Sequence, residues 1–411
     1  MKTVDLPEFT VSNSGITTNL YIFMRDLKQQ LILTAFALLP ALVWANTTQK
    51  RSPSKKLVTP DATVETKNLY GNLDLLSARG VMFGHQDATS YGHGWTDEPG
   101  RSDVKSVTGS HPAVIGIDFG GLGSRSDSQR LDYKSKLIKN ITDTYNRGGV
   151  VTVAWHFSNP VSPTGFYWND STAVAAVPLI IPGGVANEKY KQILAGIAGV
   201  AKELTGKDGK LVPVIFRPYH EMDGDWFWWG RQHCSAADFK TLWQFTVGYL
   251  RDTLKVRNFI YAFSPDCRFT NEAEFLERYP GDAWVDMIGM DNYHDFGRDG
   301  RYDLAAGVKK LRILGEYGRR SGKLVAFTET GLEGIPDKGW WTETLLATIR
   351  KAGVPLAYVL VWRNDSRSKT HYYAPYPGHS SVPDFMRFYD DPFTIFENDL
   401  PGMYANPYSK K

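Results

Sequence analysis

The chain has 411 residues, a net charge of +3 and a hydrophobic fraction of 42%. That fraction is ordinary for a globular protein and excludes a collagen-like, a largely disordered and a polytopic membrane chain. The basic residues between positions 50 and 56 alone exceed the net charge, so the rest of the chain has no basic excess and nucleic acid is not an expected partner.

The first 45 residues have the pattern of an export signal. Arg25 and Lys28 precede an apolar run, Leu31–Ala45, that ends at a small residue. Charged, apolar and cleavable segments follow one another in this order in signal peptides, and the run is shorter than the about 20 residues of a membrane span. We therefore expect an N-terminal extension and signal peptide over 1–45 and a flexible linker over 46–60. The mature protein is expected in the periplasm or outside the cell, without a membrane span.

Short apolar runs alternate with longer stretches of mixed charge from residue 80 onward. Such runs suit parallel strands buried on both faces, and the stretches between them have helical spacing. The runs are Val81–His85, Ala113–Phe119, Val150–His156, Val212–Pro218, Phe259–Ser264, Val285–Asn292, Leu324–Glu329 and Leu356–Trp362. The clearest helical stretches are Ser128–Asn146, Asn187–Leu204, Ala236–Leu254, Asp303–Arg320 and Thr342–Lys351. This order predicts one α/β domain over 61–411, a single (β/α)8 TIM barrel with elaborated loops after its strands.

Polar and aromatic side chains follow the apolar runs, at the strand ends where barrels of this kind carry their active sites. Ionisable groups this close to core strands carry a desolvation cost, so their recurrence favours a functional site over ordinary loop polarity. Two of them are glutamates: Glu221 follows the fourth run and Glu329 ends the seventh. Strands four and seven lie nearly across an eight-stranded barrel, so we expect both carboxylates to face one bowl.

Two facing carboxyl groups suit the cleavage of a glycosidic bond. One donates a proton to the leaving oxygen while the other attacks the sugar carbon, and a separation of about 5 Å gives net retention through a covalent intermediate. The two roles need different pKa values, which the surroundings must set. His220, beside Glu221, and Tyr293, after the sixth run, are candidates for creating that difference and for positioning sugar hydroxyls.

The segment 217–230, RPYHEMDGDWFWWG, resembles the β-mannanases of glycoside hydrolase family 26, barrel enzymes with catalytic glutamates on strands four and seven. The family places a histidine before the acid/base glutamate and a tryptophan five residues after it; here these are His220, Glu221 and Trp226. The resemblance covers roughly residues 65–405. It implies a retaining hydrolase of β-1,4-mannosidic linkages in mannan, glucomannan or galactomannan, with Glu221 as acid/base and Glu329 as nucleophile.

The resemblance also implies which residues bind the substrate. They are His156, His220, Trp226, Tyr293, Trp362 and Arg363, joined by Trp168 and His379 from long loops. Tyr293 is expected to contact the nucleophile, and His156 to hold a sugar hydroxyl. Trp362 and Arg363 are expected to form the platform beneath the cleaved sugar unit.

Three tryptophans follow the acid/base within a few residues. Pyranose rings stack on indoles because the C–H faces of the sugar are apolar. We expect Trp226 to face the sugar and at least one of Trp228 and Trp229 to pack in the core. For Trp340 and Trp341 the sequence leaves two roles open, a distal subsite and core packing.

No metal and no cofactor are expected. The histidines form no HExxH or closely spaced His/Cys set, and the glycine-rich pieces fit neither a Walker loop nor GxGxxG. Cys234 and Cys267 are the only candidates for a disulfide, and the sequence leaves their pairing open.

Two other functions stay open. One is a different hydrolase on the same scaffold, a β-1,3-xylanase or a mixed-linkage β-glucanase. The other is a non-catalytic glycan-binding protein, which the presence of both glutamates disfavours. The expected partner is β-mannan polysaccharide or a manno-oligosaccharide, and the protein is expected to act as a monomer. The sequence does not set whether it cuts inside the polymer or from one end.

Overall fold

Eight parallel strands form a closed barrel in the computed structural model. They are β1 (Val81–Gln86), β2 (Val114–Asp118), β3 (Val150–Trp155), β4 (Val214–Pro218), β5 (Phe259–Phe263), β6 (Met287–Asp291), β7 (Leu324–Thr330) and β8 (Tyr358–Val361). Each strand pairs with the next along the chain, and β8 returns to β1 in the register Met82↔Tyr358 to His85↔Val361. Every apolar run predicted as a strand overlaps one, in the predicted order, so the (β/α)8 fold class is confirmed.

The structure describes residues 56–123, 126–162, 164–168 and 173–409. The predicted signal peptide and residues 46–55 of the predicted linker lie outside this part of the chain. The end of that linker belongs to the folded body: Val58 and Thr59 are buried, and the amide of Val58 donates to Asp286 Oδ1 at 2.6 Å. The described residues all belong to one compact unit.

Helices occupy the connections between the strands. They are α1 (Val64–Ser77), α2 (Asp103–Thr108), α3 (Asp127–Arg147), α4 (Val177–Ile180), α5 (Asn187–Glu203), α6 (Ala236–Gly248), α7 (Glu272–Phe275), α8 (Leu304–Ser321), α9 (Ala347–Ala352) and α10 (Val382–Asp390). Shorter elements are the ribbon Tyr91–Gly92 with Trp95–Thr96, the edge strand Thr394–Ile395 beside β1, and the 3-10 turns Gly120–Leu122, Asp282–Trp284, Arg298–Gly300 and Glu397–Asp399. No described helix is both long and apolar enough to cross a bilayer.

Helix α1 closes the amino-terminal end of the barrel. Its N-cap is Thr63, whose side chain accepts a hydrogen bond from the amide of Thr66. Leu69 and Leu73 are fully buried and share one apolar cluster with Met82 and other barrel residues. Because this end is filled by side chains, the accessible bowl lies at the carboxyl ends of the strands.

Two predicted helices contain a wider turn. The stretch predicted as one helix over Ala236–Leu254 is α-helical to Gly248 and continues as a π-helix over Tyr249–Thr253. The segment Trp340–Leu346 is also a π-helix, directly before α9. Trp340 and Trp341 are fully buried within it, which assigns both to core packing. Apolar spacing cannot distinguish a π-helical turn from an α-helical one, so the sequence showed neither.

Candidate active site

Glu329 lies near the end of β7 and is buried. Its Oε2 accepts a hydrogen bond from the hydroxyl of Tyr293 at 2.9 Å, and its Oε1 contacts Nη2 of Arg217 from β4. One donor for each carboxylate oxygen fixes the plane of the group, because a guanidinium and a phenol both have directed protons. The predicted contact between Tyr293 and this glutamate is present.

Arg217 links the carboxylates at the base of the bowl. Its Nη1 donates to Asp291 Oδ2 at 2.7 Å and to Ser264 Oγ at 3.0 Å, while its other nitrogen contacts Glu329. Burial alone would lower the pKa of Arg217, but the charges of Asp291 and Glu329 outweigh it and raise that pKa. The guanidinium is therefore always charged, and it orients two buried acids at once.

Glu221 stands three residues beyond β4 in a strained turn. Tyr219 and Glu221 both adopt left-handed backbone conformations, with φ of 50° and 54°. Tyr219 is fully buried and its hydroxyl bonds Thr246 of α6 at 3.1 Å. The amide of Glu221 donates to the carbonyl of Ser264 at 2.9 Å, so the turn is held from the helix layer and from the neighbouring strand end.

The carboxyl group of Glu221 accepts one strong hydrogen bond, from Trp226 Nε1 to Oε2 at 2.6 Å. Burial is the largest influence on its pKa, and the negative charges of Asp291 and Glu329 add to it; together they raise that pKa well above its usual range. A carboxyl group with a raised pKa keeps its proton at a pH where ordinary glutamates have lost theirs.

His156 and His220 lie side by side next to this pair. Their Nε2 atoms are 3.2 Å apart, and the ring of His156 meets that of Trp362 edge to face at 5.7 Å. A ring nitrogen of His220 and one oxygen each of Asp291 and Glu329 lie within 4.8 Å of one another. Burial, followed by the charge of Arg217, lowers the pKa of His220 well below 6.5, so this ring is neutral.

The three tryptophans after the acid/base divide into two roles. Trp228 and Trp229 are fully buried, and their indole N–H groups donate to the carbonyls of Phe157 at 2.6 Å and His220 at 2.8 Å. Both are structural, which confirms and extends the expectation for at least one. Trp226 is half-buried and contacts Glu221, and the guanidinium of Arg268 lies 5.2 Å from the centroid of the Trp226 ring.

The predicted platform after β8 is connected to the loop after β1. Trp362 and Arg363 are half-buried. Nη1 of Arg363 donates to the hydroxyl of Tyr91 at 3.2 Å, and that hydroxyl donates to Asp87 Oδ2 at 2.5 Å. The position of Arg363, after β8, is thus set by Tyr91 and Asp87 from the loop after β1, the strand that pairs with β8.

The two loop residues Trp168 and His379 have different positions. Trp168 stacks on His233 with ring centroids 3.6 Å apart, and its amide donates to the carbonyl of Trp226 at 2.7 Å, so it lies beside the acid/base loop. His379 bonds Tyr372 and Ser381 of its own loop, at 3.2 and 2.9 Å. Among the described residues it has no hydrogen bond to either glutamate, and its role in substrate binding stays a prediction.

Sequence reasoning missed two residues beside the glutamates. Arg217 begins the segment 217–230 but was assigned no role from the sequence, although a basic residue in a buried strand needs acidic partners nearby. Tyr167, 59% exposed, stacks against Phe227 with centroids 5.6 Å apart and comes from the insertion after β3. Nothing in the sequence of that insertion indicates which of its side chains lie beside the active site.

The fold and the site together define a class: a (β/α)8 barrel with paired glutamates at the carboxyl ends of β4 and β7, the arrangement found in barrel glycosidases. The sequence model of Glycosyl hydrolase family 26 matches residues 58–326. The chain belongs to this family.

Similar proteins include enzymes and solved structures from several bacteria. A mannan endo-1,4-β-mannosidase of Bifidobacterium adolescentis is 34% identical over 90% of this chain, which spans 38% of that relative's length. A mannan endo-1,4-β-mannosidase of Bacillus subtilis is 30% identical over 66% of this chain and 75% of its own. The structure of a GH26 β-mannanase from Bacteroides ovatus is 40% identical, with a TM-score of 0.78 over 85% of this chain and 99% of that chain.

Proposed function

We propose that the protein is a retaining glycoside hydrolase of the mannan endo-1,4-β-mannosidase type, acting on mannan, glucomannan or galactomannan. The names of the relatives from Bifidobacterium adolescentis, Bacillus subtilis and Bacteroides ovatus support this substrate class. One observation carries the proposal: Glu329 is held by Arg217 and Tyr293, while Glu221, in the same bowl, has a raised pKa.

The first chemical step uses this difference. Glu221 gives its proton to the oxygen of the leaving sugar as the bond from that oxygen to the anomeric carbon breaks, and an oxygen of Glu329 forms an ester to the same carbon. Tyr293 and Arg217 hold the attacking carboxylate in place, so little reorganisation accompanies the attack.

The second step reverses the role of the acid. Once Glu329 is esterified, its negative charge no longer raises the pKa of Glu221, and the newly formed Glu221 carboxylate is ready to accept a proton. It takes that proton from a water molecule, whose oxygen attacks the anomeric carbon and releases Glu329. Two inversions at one carbon give net retention.

A substrate comparison tests the proposal. Purified protein is incubated with linear β-1,4-mannan, β-1,3-xylan and lichenan, and new reducing ends are measured, with Glu329→Gln protein as the inactive control. We expect rapid release from mannan alone and, by proton NMR at early times, a β-configured new end. Faster cleavage of β-1,3-xylan or lichenan would overturn the substrate class, an initial α product would overturn the retaining mechanism, and equal activity of the control would overturn the assignment of Glu329.

We also propose that residues 1–45 direct export and that the mature protein acts as a monomer in the periplasm or outside the cell. The support for export is the charged, apolar and cleavable order of Arg25, Lys28 and Leu31–Ala45. Expression of the full chain, cell fractionation and sequencing of the mature amino terminus test it. A mature chain that begins near Asn46 is expected, and uncleaved protein in the cytoplasm would contradict export. Light scattering of the purified protein gives the oligomeric state.

A further inference from the structure

Asp118, at the end of β2, forms hydrogen bonds through both carboxylate oxygens. Oδ1 accepts from the amides of Gly120 at 2.6 Å and His156 at 3.1 Å, and Oδ2 contacts Nδ1 of the His156 ring. These contacts outweigh the effect of burial and hold the pKa of Asp118 below its usual value. Asp118 is therefore an anion, which can only accept hydrogen bonds.

An anionic neighbour decides where the His156 ring carries its proton. The nitrogen that faces Asp118 must be the donor, so Nδ1 of His156 is protonated. In the neutral ring the other nitrogen, Nε2, is then an acceptor. That atom lies 3.2 Å from Nε2 of His220, and two nitrogens at this distance need one proton between them. The proton therefore belongs to His220.

The consequence reaches the catalytic centre. With its proton on Nε2, neutral His220 has a bare acceptor at Nδ1. This atom is buried and has no hydrogen-bond partner among the residues that the structure describes. The ring borders Asp291 and Glu329, where the sugar unit under attack must lie. A sugar hydroxyl is a suitable donor for a buried nitrogen that would otherwise stay unsatisfied.

We propose that Asp118 is a positioning residue of the active site: through His156 it places the proton of His220 on Nε2 and leaves Nδ1 to accept a hydroxyl of the bound sugar. The inference rests on the proposed glycoside hydrolase function for its kinetic consequence, but the proton positions themselves can be measured without any substrate.

The variant Asp118→Asn should reverse the proton positions on His156 and His220 with little change in the shape of the side chain at position 118. The amide oxygen can still accept from the two backbone N–H groups, but the amide NH2 then faces Nδ1 of His156 and donates to it. His156 must move its proton to Nε2, and His220 must then accept there and carry its own proton on Nδ1. The group that meets the sugar thereby changes from acceptor to donor.

The experiment is 15N NMR of protein labelled at its nine histidines, with peaks assigned through His156→Gln and His220→Gln. In the wild type we expect a proton on Nδ1 of His156 and on Nε2 of His220, and in Asp118→Asn the opposite pattern for both rings. Wild-type spectra with a doubly protonated His156, or with the proton of His220 on Nδ1, would overturn the inference even if the variant does not fold.

Kinetics on mannan provide the second readout. We expect kcat of Asp118→Asn to fall by about 10- to 100-fold, the range for groups that orient catalytic side chains, with a smaller change in KM. Asp384→Asn is the matched control, because Asp384 is equally rich in contacts: it accepts from the amides of Trp341 and Thr342, from the Thr342 hydroxyl and from Arg387, and none of these partners is a glutamate or histidine of the site. This control should lose thermal stability and keep kcat.

The outcomes separate the two proposals. An unchanged kcat in Asp118→Asn, or an equal loss in Asp384→Asn, would refute a positioning role for Asp118. Wild-type protein that shows the expected proton positions but no hydrolysis of any β-glycan would instead refute the proposed function.

Discussion

Glu221 and Glu329 are the same residue type at the same end of one barrel, yet their surroundings differ in nearly every respect. Glu329 belongs to a strand, is buried and accepts hydrogen bonds from Arg217 and Tyr293. Glu221 belongs to a left-handed turn beyond its strand, receives one indole N–H, and has negative groups as neighbours. The environment of Glu329 fixes its carboxylate in position, and the environment of Glu221 favours a retained proton. The two glutamates therefore differ in chemical role because their neighbouring residues differ, and these neighbours can be changed one at a time.

Removal of the fixed anion should have the largest effect. For Glu329→Gln we expect kcat to fall by more than about 10⁴-fold on mannan and on every other substrate, because no nucleophile remains.

For Glu221→Gln we expect kcat on mannan to fall by about 10²–10⁴-fold. The variant should still react quickly with an aryl mannoside whose leaving group needs no proton, and a burst of released phenol would show this first step. A burst from Glu329→Gln and none from Glu221→Gln would reverse the two assignments.

The pH dependence of stability should show the retained proton directly. The pKa of Glu221 is raised in the folded protein, so the native state binds more protons than the unfolded state between the unfolded pKa of about 4.3 and the folded value. The contribution of this carboxyl group is thus most favourable below pH 4 and is lost as pH rises through the folded pKa. Glu221→Gln should be more stable than the wild type at pH 8, with a difference in urea unfolding free energy that shrinks toward pH 4. A difference independent of pH would contradict the raised pKa.

The smallest expected effect concerns the single indole hydrogen bond. Trp226→Phe removes the donor to Glu221, and because a hydrogen bond to the charged form lowers a pKa, its loss raises the pKa further. We expect the alkaline limb of the kcat/KM profile to move to higher pH and kcat/KM to fall about 10-fold. Trp228→Phe is the matched control: its lost bond goes to the carbonyl of Phe157, so it should reduce thermal stability without moving the pH profile.

The fold was predictable because its signals are local. Continuous apolar runs mark strands buried on both faces, and eight of them in alternation with helices allow few architectures. The two glutamates followed from their places at the ends of the fourth and seventh runs. Helix α1 was not predicted, since its apolar residues face a barrel floor that exists only after the strands have assembled.

The parts of the site that escaped prediction depend on tertiary contacts. Arg217 pairs with Asp291 and Glu329 from two other strands, 74 and 112 residues away in sequence. The contact between Asp118 and His156 joins the ends of β2 and β3. The strained backbone of Glu221 is stabilised through Tyr219 by helix α6, which no local pattern connects to it. These are properties of the assembled barrel and have no signature in one segment.

Cys234 and Cys267 are both free and buried, which answers the question of their pairing. Burial also raises the pKa of each thiol, so neither is a reactive thiolate at neutral pH. No covalent cross-link therefore has to form before the native state is reached, and none can be lost to a reductant. The molecule should fold to the same state in a reducing cytosol and in an oxidising culture medium, and stay active in thiol-rich plant extracts without any need for a disulfide-forming host.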